Sequence, residues 1–326
     1  MDKQYAVIGL GKFGYAVAQT LSQAGKQVLA VDKDQELVQE IADYVTYAAR
    51  ADVTDSRVFE SLGISNMDVV IIGISEDMES SILATLQAKE AGVPLIADTT
   101  VVPFNIFKAV TFGVDIEIVS STKYISGGAT STGGLILDYG TFDWSNSARL
   151  KDVSVLVGSQ KAFTFKMRKE IHRNLGAYMT PQVAYMQTLG IETMSIRFER
   201  QAATCLELAK ELQKLENIES VNYTGLPGNP YYDISTSQFG PLPGAMLTFN
   251  LASREACFAF MNKLKLIRRA TNLFDNKTLA IHPASTIYGT FTEEQRQSLS
   301  SGNEEDTSTD DHHDLLLDIL LLVVHG

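Results

Sequence analysis

The first hundred residues alternate between apolar runs of strand length and helical stretches, and this alternation constrains the fold more than any other feature. "YAVIG" (5–9) has a buried-strand pattern; Gly9, Gly11 and Gly14 follow in G-x-G-x-x-G spacing, and "YAVAQTLSQAG" continues as a helix. "QVLAVDKD" is a second strand ending at Asp32, and "VTYAARADVTD" is a third with a loop carrying Asp52 and Asp55. "MDVVIIGIS" is a fourth strand, "MESSILATLQAKEAG" a helix and "VPLIAD" a fifth strand. Such alternation predicts an α/β fold with a doubly wound, mostly parallel sheet.

The glycine spacing has a physical reading. Gly9 permits a tight turn, Gly11 lets a pyrophosphate approach the backbone, and Gly14 lets the helix pack on its strand. The helix N-terminus offers free N–H groups to an anion. Asp32 stands about 20 residues further on, where an acid grips a ribose. The spacing therefore predicts a Rossmann-like nucleotide-binding domain, against the alternative of a glycine turn kept only for packing.

Residues 1–96 resemble the N-terminal half of an RCK/KTN domain, the nucleotide-sensing regulator of potassium channels and transporters. The resemblance rests on "AVIGLGKFG", "VLAVDKD", "ARADVTD", "FESLGI" and "VIIGISEDMESSILATLQAKEAGVP". It implies ADP/ATP or NAD(H) as ligand, with Gly9, Gly11 and Gly14 at the phosphates and Asp32 at the ribose. It also places Lys12 near a terminal phosphate and Asp52 near the adenine.

From residue 97 to 298 the chain resembles the cystathionine γ-synthase family of pyridoxal-phosphate (PLP) enzymes, which includes O-acetylhomoserine sulfhydrylase and methionine γ-lyase. The motifs are "VSSTKYISGGATSTGG", "LGAYMTPQVAYMQTLGIETMSIRFERQ", "VNYTGLPGNPYY", "GAMLTFNL" and "TLAIHPAST". The resemblance implies that Lys123 carries the cofactor as a Schiff base, that Asp98 holds the ring nitrogen, and that Ser120 and Thr122 contact its phosphate. Residues 1–96 contain none of the family's upstream phosphate loop, stacking tyrosine or Tyr/Arg pair. After "HPAST" the strand bearing the substrate-clamping arginine is missing, and Arg296 in "TEEQRQSL" is a poor substitute. Phe274 stands where the family usually has glycine, so its ring is expected to block the site.

Composition excludes other classes. The net charge of −12 repels phosphate backbones, so no nucleic-acid partner is expected. Cys205 and Cys257 have no metal-ligand spacing, and the chain enters a strand at once without a leader pattern, so a cytoplasmic location is expected. The acidic stretch 301–314 predicts a flexible tail whose His312–His313 pair is solvated, and no metal is expected. "LLLDILLLVV" (315–324) is too short to span a bilayer and is expected to pack as a helix.

These readings combine into a chimera with its junction near 96–98. A Rossmann-like domain would occupy 1–140 in strand order 3-2-1-4-5-6, with "FNIFKAVTFG" as the helix before strand six. A helical linker would follow over 141–215, a small C-terminal α/β domain of PLP-enzyme type over 216–300, and the tail over 301–326. The expected function is adenine-nucleotide binding beside an incomplete, inactive PLP-enzyme fragment. The alternative is a PLP-dependent sulfhydrylase or lyase of cysteine/methionine metabolism that uses Lys123 and Asp98. A second alternative is a regulatory subunit partnered with a potassium-transporter membrane subunit. A homo-oligomer is compatible with each of these.

Overall fold

The computed structural model describes residues 4–53, 55–74, 78–147, 149–289 and 319–323. The chain divides into two compact units, Met1–Leu95 and Ile96–Gly326. The first unit contains β1 (Gln4–Ile8), α1 (Lys12–Gln23), β2 (Gln27–Asp32) and α2 (Gln35–Ala42). It continues with β3 (Tyr47–Arg50), α3 (Ser56–Ser61), β4 (Val69–Ile72) and α4 (Met78–Glu90). The strands pair in parallel in the order β3-β2-β1-β4. Their central residues are apolar because helices cover both faces, while Gln4, Gln27, Asp32 and Arg50 lie at strand ends. Val7, Val28 and Ala30 pack with Ala18 of α1 and Val38 and Ile41 of α2. The alternating residues Ala6, Ile8, Leu29 and Val31 pack with Phe59 of α3 and Ala84 and Ala88 of α4. Asp34 and Asp55 cap α2 and α3 by accepting from Glu36 N at 2.8 Å and Arg57 N at 2.9 Å. The hydrogen bond from the Arg57 side chain holds the Asp55 carboxyl below its usual range.

The second unit opens with β5 (Ile96–Asp98), β6 (Ile116–Val119) and β7 (Leu135–Asp138). In this three-stranded sheet β5 and β6 are parallel, and β7 is antiparallel to β6. Five helices follow: α5 (Lys151–Val157), α6 (Ser159–Lys166), α7 (Arg173–Leu175), α8 (Pro181–Glu192) and α9 (Met194–Leu212). The chain then forms β8 (Ser220–Asn222), α10 (Tyr232–Phe239), β9 (Met246–Asn250) and α11 (Arg254–Lys263). It ends with β10 (Arg268–Arg269), β11 (Leu279–Ile281) and β12 (Ile319–Val323). These five strands form one sheet in the order β10-β11-β12-β9-β8. Cys205, Ala209 and Leu212 of α9 and Cys257 and Met261 of α11 pack against Leu247 and Phe249 of β9.

The architecture is α/β with a parallel sheet, but it departs from the expected single sheet. β5 pairs with β6 in a sheet separate from β3-β2-β1-β4, and the unit boundary falls at Leu95–Ile96, not near 140. The expected helix over "FNIFKAVTFG" is only a 3-10 turn, Ala109–Phe112. Phe107 stacks on Phe112 at 4.9 Å, and Gly113 ends the turn at φ 80°, so the segment folds on itself and does not extend. Within the helical region expected over 141–215, α8 and α9 are divided at Thr193. Among the described residues no helix is long and apolar enough to cross a membrane. Arg296, His312 and His313 lie outside the described residues.

The terminal apolar run is a strand, not the expected helix. β12 lies between β11 and β9, antiparallel to both, from Leu279↔Val323 to Ile319↔Asn250. Backbone groups on the facing edges of β9 and β11 need ladder partners, and an extended segment supplies them where a helix cannot. The sheet expected to be one strand short is thereby filled, although "ILLLV" contains no arginine. Deleting residues 315–326 leaves both edges bare at ~1 kcal/mol for each ladder bond lost. The truncated chain is expected to show faster hydrogen exchange in β9 and β11 and a lower melting midpoint; an unchanged midpoint contradicts this assignment.

Candidate active site

Because β5 and β6 are parallel, the loops that follow them emerge at the same end of the pair, where ligands bind in parallel sheets. The two loops are tied together. Asp98 Oδ1 accepts from Thr100 N at 3.0 Å, and Thr100 Oγ1 accepts from Ser120 N at 2.8 Å. The carboxylate of Asp98 and the run Ser120, Ser121, Thr122, Lys123 therefore belong to one edge. Thr122 Oγ1 accepts from Gly133 N at 3.1 Å, which brings the following glycine-rich loop alongside. Ser121 is fully buried, and its hydroxyl has no hydrogen-bond partner among the described residues.

Lys123 is partly buried, and its Nζ donates to Asn272 Oδ1 at 3.1 Å. Asn272 Nδ2 in turn donates to Asp275 Oδ2 at 3.2 Å. Lys123 is thus held by a neutral amide, with the nearest acid of this chain of contacts one step removed. Phe274 does not block this site as expected. Its ring is 1% exposed and stacks on Tyr124 at 4.1 Å, so it points into the core. Tyr124 also meets Phe198 edge-on at 5.3 Å, and its carbonyl accepts from Arg197 Nη2 at 2.7 Å. Burial pushes the Arg197 guanidinium below its usual pKa.

Glu117 lies on β6 with no exposed surface and accepts from Thr99 Oγ1 and from the Tyr139 hydroxyl. Desolvation, followed by the hydrogen bond and charge of Glu117, pushes the Tyr139 phenol up to about 12. The neutral phenol is therefore the form that the fold favours. Its contribution to stability is complete below the usual value of 10.0 and is lost as pH rises toward about 12. In an ultraviolet titration, Tyr139→Phe is expected to remove one late-ionising tyrosine and flatten the fall in stability over that interval. An unchanged late step contradicts the Tyr139–Glu117 pairing.

The glycine loop of the first unit does line a crevice with Asp32 and Asp52. Its glycines, however, meet packing demands within the unit. A Cβ on Gly14 would lie 1.8 Å from Gly9 O, and one on Gly9 would lie 2.7 Å from Ile74 N. Asp32 is engaged by the loop's own backbone: Oδ2 accepts from Leu10 N at 2.5 Å and Oδ1 from Asp34 N at 2.9 Å. Gly11 precedes α1 as its N-cap, and Lys12 is the first residue of that helix; its side chain is outside the described set. Asp52 is exposed at the end of the β3 loop.

Of the residues singled out in the sequence, Lys123, Asp98, Ser120 and Thr122 lie together at this edge, whereas Asn272, Asp275 and the Glu117–Tyr139 pair were not anticipated. Asn272 lies 149 positions from Lys123, and "TNLFDN" signals only a turn.

The family described as Cys/Met metabolism PLP-dependent enzyme matches residues 52–305. O-acetyl-L-homoserine sulfhydrylase 1 of Thermus thermophilus is 35% identical over 65% of this chain and 53% of its own length. O-acetyl-L-homoserine sulfhydrylase of Leptospira meyeri is 32% identical over 77% of this chain and 59% of its own length. The chain thus spans between half and three fifths of these curated relatives. A solved O-acetylhomoserine sulfhydrylase of Wolinella succinogenes superposes with a TM-score of 0.68 at 32% identity, covering 95% of this chain and 84% of that one. Cystathionine γ-synthase of Xanthomonas oryzae pv. oryzae shares the fold with a TM-score of 0.67 at 21% identity, over 99% of this chain and 71% of that one.

These matches overturn the expected adenine-nucleotide function. The family match enters the first unit at Asp52 and runs through β4 and α4 across residues 96–98. The junction expected there is therefore not where this family begins. The reading of a nucleotide-sensing module joined to a silent remnant, and with it the potassium-transport assignment, gives way to one PLP-enzyme family over most of the chain.

Proposed function

We propose that this chain, which belongs to the Cys/Met metabolism PLP-dependent enzyme family, is an enzyme of the O-acetylhomoserine sulfhydrylase type whose cofactor amine is Lys123. The observation that carries the reading is the partly buried Lys123 Nζ, oriented by the neutral Asn272 Oδ1 at 3.1 Å beside the carboxyl ends of β5 and β6. The donor chemistry present fits the cofactor. Lys123 offers an amine to its aldehyde, and Asp98 offers a carboxylate to its ring nitrogen. Ser120 and Thr122 offer hydroxyls to its phosphate. The buried, unpartnered hydroxyl of Ser121 adds a further donor at the same edge.

When bound, pyridoxal phosphate supplies an electron-accepting ring. The chain's own residues supply position and proton transfer. Asn272 holds Nζ, and Nζ can take up and return a proton at the reacting carbon. Thr100 fixes Asp98 and Ser120 relative to each other through one hydroxyl and one backbone N–H. The substrate would be O-acetyl-L-homoserine, as in the names of the relatives, with sulfide replacing the acetate group. Because β12 brings no arginine to the substrate carboxylate, substrate capture is expected to be weak, with KM at or above ~1 mM.

Borohydride reduction after incubation with pyridoxal phosphate, followed by peptide mapping, tests the reading. The label is expected at Lys123 and is expected to vanish in Lys123→Ala, with turnover reduced at least ~10²-fold. Label spread over exposed lysines with none at Lys123 contradicts it.

A further inference from the structure

Two segments distant in sequence run side by side at this site. Asn272 meets Lys123, Phe274 meets Tyr124, and Asn276 Nδ2 donates to Gly127 O at 3.4 Å. Gly128 fits against Asn276 so closely that a Cβ there would lie 2.4 Å from its side-chain amide. Among the described residues only two non-glycine residues have positive φ, Ala129 and Phe274, both at 57°. One ends the first segment and the other sits in the middle of the second. An aromatic residue keeps such a backbone only where its surroundings over-determine it. Here the Tyr124 stack holds the ring, and Gln201 Nε2, donating to Asp275 O at 3.1 Å, holds the next peptide.

We propose that Phe274 is a positioning residue for Lys123: its ring, stacked on Tyr124, fixes the turn from which the lysine amine projects. The role rests on the reading of Lys123 as the cofactor amine, but its mechanical part does not. Asn272 acts on the amine directly. Phe274 acts one residue away, through the backbone that Tyr124 shares with Lys123. The strained φ is the conformation that places an aromatic ring flat on Tyr124 at a position where glycine would sit without strain.

The test compares Phe274→Gly with Phe274→Tyr in the full chain, by hydrogen exchange and by borohydride trapping of pyridoxal phosphate. Phe274→Gly removes the ring and relaxes the backbone. It is expected to speed exchange in 122–128 about tenfold, leave α11 unchanged, and lower the Lys123 share of the trapped label several-fold. Phe274→Tyr keeps the stack and is expected to restore both values. Should the glycine variant fail to fold, Phe274→Leu, which fills the space without a stackable ring, is expected to show the same two changes. Native exchange in 122–128 and a native Lys123 share in a folded Gly or Leu variant overturn the proposal. If the unsubstituted chain takes no label at Lys123, the cofactor reading fails, while exchange in 122–128 still decides whether Phe274 fixes the turn.

Discussion

Residues 120–128 leave β6 as an irregular turn, and their shape is imposed from outside by residues 272–277. The hydrogen bond from Lys123 to Asn272 bridges 149 positions of sequence. Without that contact a lysine in a serine-rich loop would be a solvated surface group, its long side chain free to sample many rotamers. With it, the amine has a fixed direction and a neutral partner. The stack of Phe274 on Tyr124, the guanidinium of Arg197 on the Tyr124 carbonyl, and the contact of Asn276 with Gly127 hold the same turn at successive points.

The sheet that carries residues 279–281 explains how this outside support stays in place. β11 directly follows the 272–277 segment, and β12 closes its ladder toward β9. The last apolar run of the chain is therefore connected to the site through backbone pairing. It completes the sheet without bringing the arginine that the family resemblance led us to expect on that strand. Glu117 of β6 joins Tyr139, the residue after β7, to Thr99 of the β5 loop. A buried carboxylate with two hydroxyl donors is satisfied and ties the three neighbouring strands to one another.

Much of this was legible in the sequence. Periodicity placed β1 to β5 with helices α1 and α4, because parallel strands covered on both faces read as continuous apolar runs, while α2 over Gln35–Ala42 was not anticipated. The motif around Lys123 also named Asp98, Ser120 and Thr122, and the structure brings these residues to one edge of the β5–β6 pair. Other features were not legible, for particular physical reasons. "LLLDILLLVV" is apolar at every position but one, so periodicity cannot distinguish a buried strand from a helix; the vacancy between β9 and β11 decides it. Phe274 was expected to obstruct the site, since sequence does not reveal that a positive φ turns its ring toward Tyr124. The G-x-G-x-x-G loop was given a nucleotide, although Gly9 and Gly14 are equally demanded by close backbone packing and Asp32 by the loop's own N–H groups. Spacing specifies the turn, and only the surroundings specify its use.

Membership of one PLP-enzyme family over residues 52–305 makes pyridoxal phosphate the ligand expected to stabilise the fold. Parallel thermal melts with pyridoxal phosphate, ADP and NADH test it most directly, because a ligand that binds only the folded state raises the midpoint. The midpoint is expected to rise with pyridoxal phosphate and to stay unchanged with either nucleotide. A rise with ADP or NADH and none with pyridoxal phosphate would contradict it.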